Sequence, residues 1–142
     1  MLPINQSQTI YEECQKIAND IEGDFGGGSP VPKTFVMSYL VQQQNLKKFV
    51  EVGIYKGRSL FPVSYSIYLN GGTSVGIDPY YLNDAKEQDV DEDLKNRIDS
   101  FLESLNFDEL YRNVLVYREK CGYGDSIKIV RDTSDNYFSN IL

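Results

Sequence analysis

Apolar positions along this chain recur at helical and at strand spacing, in alternation. Ile10, Cys14, Ile17, Ala18 and Ile21 fall at i, i+4, i+7, i+8 and i+11, one stripe of a helix. Thr9 and Glu12 read as a capping box at its start, and Gly23 as its end. The stretch FGGGSPVP, residues 25–32, reads as a connector, or else as a loop that folds over a ligand. A second helix is expected over about 33–44, turning Phe35, Val36, Tyr39 and Leu40 inward. Residues 49–52 form a short strand. Residues 59–70 read as a helix with Pro62 in its first turn, where a missing N–H costs little, and Gly71-Gly72 stops it. A second strand spans 74–77 and ends in Asp78-Pro79. Leu94, Ile98, Phe101, Leu102 and Leu105 repeat the helical stripe. Leu110, Val114, Tyr117 and Cys121 make another helix behind an Asp108 cap, closed by Gly122 and Gly124. A third strand covers 127–130, and RDTSDNYFSNIL trails out of it.

Strand, helix, strand, helices, strand is the order of a parallel α/β sheet with right-handed crossovers. The expected fold is a Rossmann-like open sheet with flanking helices. Residues 1–45 form an N-terminal helical segment and 46–142 the sheet domain, in one compact unit. The net charge of −7 argues against nucleic acid, which requires clustered Lys and Arg. The acidic run DVDEDL suits a solvated loop and helix start, since acids favour the positive end of the helix dipole. The chain has no histidine, which removes Ser-His and Cys-His triads and imidazole ligation of metals. Cys14 and Cys121 lie far apart without zinc spacing and read as buried thiols of a reduced, cytoplasmic protein. No apolar run approaches the roughly 20 residues that cross a bilayer, so no membrane partner is expected.

The chemistry concentrates in VEVGIYKGRS, residues 50–59. Glu51 sits inside a strand, where an acid is costly unless hydrogen-bonded. Gly53 and Gly57 clear the following turn of side chains, letting backbone N–H groups approach a ligand. Ligands of open parallel sheets bind beyond the carboxyl ends of the strands. Two further acids lie at such ends. Asp78, 25 residues past Gly53, is placed to accept ribose hydroxyls, or else to form the turn before Pro79. Asp132 and Thr133 are placed to meet an exocyclic amine, or equally to cap the next turn.

VEVGIYKGRS followed by VGIDPY resembles the first two motifs of class I S-adenosylmethionine-dependent methyltransferases, in the sugar and macrolide O-methyltransferase-like branch. IKIVRDTSDN is similar to that family's third-strand region. The resemblance implies S-adenosyl-L-methionine as cofactor and a small-molecule or glycan methyl acceptor. Glu51 and Gly53 would lie near the methionine moiety, with the backbone from Ile54 and Tyr55 through Gly57 to Ser59 around its carboxylate. Asp78 would take the ribose without supporting the fold, and Asp132 and Thr133 would lie near the adenine. Tyr55 stands where the commonest motif has another glycine. No general base and no metal site is legible. Two rivals are a nicotinamide-binding protein, against which the absence of Gly-x-Gly-x-x-Gly counts, and a non-enzymatic binding module. The strand order 3-2-1, truncated before strand 4, leaves strand 49–52 as a hydrophobic edge. That edge is expected to pair in a homodimer, or else to be covered by residues 137–142.

Overall fold

The computed structural model describes residues 1–23, 28–86 and 89–141. Helices α1 (Ile4–Asp20) and α2 (Val31–Gln43) precede strand β1 (Lys48–Val52). Helix α3 (Leu60–Leu69) leads to β2 (Thr73–Ile77), then α4 (Leu82–Ala85), α5 (Glu92–Glu103) and α6 (Phe107–Lys120). Strand β3 (Ile127–Val130) follows a short turn of 3-10 helix, and α7 (Ser134–Ile141) closes the described chain. The strands form one parallel sheet in the order β1-β2-β3, the expected neighbours read from the other edge.

The register places Phe49 beside Ser74 and Ile127, and Glu51 beside Gly76 and Ile129, on one face. Helix α3 packs on that face. Gly76 permits this approach, because a Cβ there would stand 2.8 Å from Ile54 and 2.9 Å from Leu60. Ile54, Leu60, Phe61, Tyr80, Val114 and Ile127 form the main core there, joined by Ile17 of α1. The opposite face is barer: Val50 and Val52 are 49% and 58% exposed.

The N-terminal helices differ from expectation in two respects. Helix α1 begins at Ile4 with Pro3 as its cap, so Thr9 lies inside it and bonds the Asn5 carbonyl rather than capping. Its Ile10, Cys14 and Ile17 stripe is buried as expected. Helix α2 is rotated from its predicted face: Val36 and Leu40 are 54% and 45% exposed, and Thr34, Ser38 and Gln42 are buried with Val41. Small and polar residues win the interface because they satisfy backbone carbonyls of α3 at close range. Ser38 Oγ donates to Pro62 O at 3.0 Å, and Gln42 Nε2 donates to Ser66 O and to Asn70 Oδ1, each at 2.6 Å. Gln6 of α1 joins the same network through Gln42.

Other boundaries shift for local reasons. Asn106, not Asp108, caps α6, accepting from the Glu109 N–H at 3.0 Å. Asp91 caps α5 in the expected acidic run. The α5 stripe is amphipathic, yet none of its residues is buried. The tail is helix α7 rather than a loop, and its Tyr137 ring lies 5.5 Å from the Lys128 ammonium on β3. That is the edge opposite β1, so the described tail does not fold back over β1. The connector expected at 25–32 falls in part on residues outside those described, and its end runs from Gly28 into α2 with Pro32 in the first turn.

The inverted α2 has a measurable consequence. Gln42→Ala should lower unfolding stability by about 2 kcal/mol, because it strips partners from buried groups. Leu40→Gln should stay within about 0.5 kcal/mol. Urea unfolding of both variants checks this; the opposite ranking would restore the expected face.

Candidate functional site

The turn between β1 and α3 is built by a chain of backbone constraints. Gly53 and Gly57 have φ of +85° and +88°, and Tyr55 between them has φ of +54°. Left-handed backbone costs a side-chain-bearing residue about 1–2 kcal/mol, which explains why a glycine is the common choice where Tyr55 stands. Two groups hold Tyr55 in place. Its N–H and that of Ile54 both donate to Asp78 Oδ2 at 2.9 Å, and its carbonyl accepts from the Tyr80 hydroxyl at 2.9 Å. Asp78 Oδ1 accepts the Tyr80 N–H at 2.7 Å. Tyr80 is buried and also left-handed, with φ of +49°. Burial pushes its hydroxyl far above the usual tyrosine range, so it remains a donor.

Gly53 and Gly57 have different roles. A Cβ on Gly53 would meet nothing within 4 Å, so the space beside its α carbon is open, while its N–H donates to Ile77 O at 2.8 Å. A Cβ on Gly57 would stand 2.5 Å from the Phe61 ring, so that glycine serves helix packing. The Gly57 N–H is occupied by the Ile54 carbonyl at 2.9 Å. The amides of Ile54, Tyr55 and Gly57 are therefore already engaged. The Ile54 side chain is buried in the core.

Glu51 lies under this turn. Its Oε1 accepts the Ser59 hydroxyl, which therefore does not cap α3. Its Oε2 is enclosed and has no hydrogen-bond partner. Burial raises the carboxyl from 4.5 to about 7, against smaller lowering effects from Ser59 and the Lys33 charge.

Two cavities flank the turn, and both are lined by Gly53 and Tyr55. The larger, about 470 Å³, runs beyond the carboxyl ends of the strands past Asp78, Tyr80, Tyr81 and Thr133. The smaller, about 370 Å³, lies on the α2 side and is lined by Lys33, Glu51, Arg58 and Ser59. Both volumes fall in the range of small-molecule sites. Together they can take an elongated ligand with its middle over Gly53. Among the described residues, no group of three acids or cysteines is placed to hold a metal ion.

Glu51, Gly53, Tyr55, Ser59 and Asp78 adjoin the same turn. Asp132 and Thr133 are occupied otherwise. Asp132 Oδ1 accepts from the Thr133 N–H and the Asn136 amide, and Thr133 Oγ1 accepts the Asn136 N–H, which caps α7. Only Thr133 reaches the larger cavity. Sequence reasoning missed Lys33, which looks like an ordinary surface lysine, and Tyr80, whose only signal is its place directly after Asp78-Pro79.

The fold belongs to the Rossmann-like class. No protein-family model matches the sequence, and no curated protein matches it. Among solved structures, the chain is similar to the SAH-bound methyltransferase PaMTH1 of Podospora anserina, with a TM-score of 0.58 and 12% identity over 100% of this chain and 56% of that one. The chain thus spans just over half the length of that structural neighbour. The likeness is one of fold.

The Glu51 environment predicts a pH signature. A raised folded pKa means the native state binds the extra proton between 4.5 and about 7. The contribution is fully present below 4.5 and is lost as pH rises towards 7. Relative to Glu51→Gln, the wild-type chain should lose on the order of 2 kcal/mol across that window. Denaturant unfolding at several pH values checks this; parallel pH profiles for the two proteins would contradict it.

Proposed function

We propose that this chain binds S-adenosylmethionine as the cofactor-binding portion of a methyltransferase, transferring the methyl group to an oxygen of a small or sugar-bearing acceptor. The observation that carries the reading is the open space beside Gly53, which lines two cavities at once, with the buried carboxyl of Glu51 in the wall of the smaller one. The similarity to an SAH-bound methyltransferase supports the same reading by fold.

The residues divide the work. Gly53 provides close approach, and Tyr55 and Tyr80 fix the turn against which a ligand would lie. Asp78 holds that turn with three accepted N–H bonds. A carboxylate has about four lone-pair sites, so Asp78 retains room for one ribose hydroxyl while performing its structural work. When bound, the cofactor would supply an electrophilic sulfonium methyl. The protein's contribution is positioning and electrostatics.

Calorimetric titration with S-adenosylhomocysteine tests the reading, and micromolar binding is the expected result. Gly53→Val should weaken it at least tenfold, because a side chain there enters the ligand's path. Asp78→Ala should lower melting as well as binding, since it removes acceptors worth about 1.5–3 kcal/mol each. A folded wild-type chain that binds no adenosyl ligand would refute the proposal and favour a non-enzymatic module.

The proposal extends to a second copy at the β1 edge. In the described sheet β1 pairs only with β2, and its Val50 and Val52 are exposed. Antiparallel pairing about a two-fold axis at Val50 would satisfy the open backbone groups and cover both valines. Light scattering at tens of micromolar should give a dimer mass; a clean monomer would refute this part.

A further inference from the structure

Arg131 directly follows β3 and precedes the segment that carries Thr133 into the larger cavity. Its guanidinium reaches back across the end of the sheet. Nη2 donates to the Tyr80 carbonyl at 3.3 Å and to the Asp108 carboxylate, and Nε donates to the Pro79 carbonyl at 3.4 Å. Its Cζ lies 5.0 Å from the centre of the Tyr111 ring, which in turn meets the Tyr80 ring at 5.3 Å. One side chain thus joins the end of β3, the segment after β2 and the start of α6.

Two of the segments so joined supply the lining of the larger cavity. Pro79, Tyr80 and Tyr81 form one stretch of it, and Thr133, Ser134 and Asp135 another. Arg131 is not itself a lining residue. The Asp108 carboxylate is 71% exposed, so that ion pair contributes little by itself. The bonds to the two carbonyls and the stacking on Tyr111 carry the link. A guanidinium can do both at once, because its N–H donors lie in a plane whose face remains free; an ammonium cannot.

We infer that Arg131 is a positioning residue of the larger cavity. By fastening Pro79 and Tyr80 to α6 and to the end of β3, it fixes how far apart the two lining segments stand. It also steadies the Tyr80 hydroxyl, which bonds the Tyr55 carbonyl and so holds the turn after β1. Arg131 acts on a ligand through Tyr80 and Asp78, not by touching it. Its part in binding rests on the adenosyl-ligand reading proposed above; its hold on the turn does not.

Amide hydrogen exchange and calorimetry with S-adenosylhomocysteine, both on the full chain, test this. The Arg131 side chain is 38% exposed, so replacing it empties no core position. Arg131→Met should speed exchange of the Ile54, Tyr55 and Tyr80 amides about tenfold and leave the α2 and α3 amides at wild-type rates. The same variant should weaken S-adenosylhomocysteine about fivefold to twentyfold, the loss of charged hydrogen bonds discounted for exposure. Arg131→Lys keeps the charge without the planar fork and should recover part of both losses. Wild-type exchange at those three amides in Arg131→Met, or equal acceleration in α2 and α3, overturns the positioning role. Loosened amides with wild-type affinity overturn its part in binding while the adenosyl reading stands. A wild-type chain silent toward S-adenosylhomocysteine overturns the adenosyl reading and the binding role together, and the exchange rates still decide whether Arg131 holds the turn.

Discussion

The Asp78 carboxylate accepts three backbone N–H groups at once, two from the turn after β1 and one from Tyr80 in its own segment. Ionised carboxylates make stronger hydrogen bonds than neutral acceptors, so this one side chain joins the ends of β1 and β2. The Tyr80 hydroxyl closes the circuit at the Tyr55 carbonyl. Two left-handed tyrosines, at Tyr55 and Tyr80, persist because both are pinned from this centre. Without it the turn would relax, and the space on either side of Gly53 would lose its shape.

Close approach on the covered face of the sheet supports the same turn from below. Gly76 lets Ile54 and Leu60 lie directly on β2, and Gly57 lets the Phe61 ring press against the turn. Helix α2 then seats on α3 through Ser38 and Gln42, whose side chains bond α3 carbonyls. A polar seam of this kind is costly if incompletely satisfied, so it fixes one rotation of α2 rather than several. That rotation sets which α2 residues face the cavity beside Glu51.

Glu51 is the counterweight. Its burial, with one oxygen enclosed and unpartnered, works against stability at neutral pH. Sites that bind ligands commonly carry such a local deficit, because the ligand supplies what the apo chain lacks. The barer sheet face around Val50 and Val52 is a different kind of deficit, one of apolar area, and it lies away from α3.

The alternation of strand and helix, the glycine turn, and the placing of Glu51 within β1 and of Asp78 just past the end of β2 were readable directly from the residues. Period and turn chemistry are local properties of the chain, so VEVGIYKGRS and VGIDPY declare themselves. The face of α2 was not readable, because hydrophobicity ranked Val36 and Leu40 above Thr34, Ser38 and Gln42. Only the proximity of α3 carbonyls makes the polar set the better buried one. The same holds for Asp78: a strand-end acid signals a partner, but the nearest donors are backbone amides brought in from residues 54 and 55. Asp132 and Thr133 turned to cap α7, a helix whose apolar residues are too few to announce it. What the sequence determined by itself was which elements form and where its chemistry-bearing residues fall along them. Which groups those residues bond was decided by tertiary packing, since hydrogen-bond partners are chosen by distance in space.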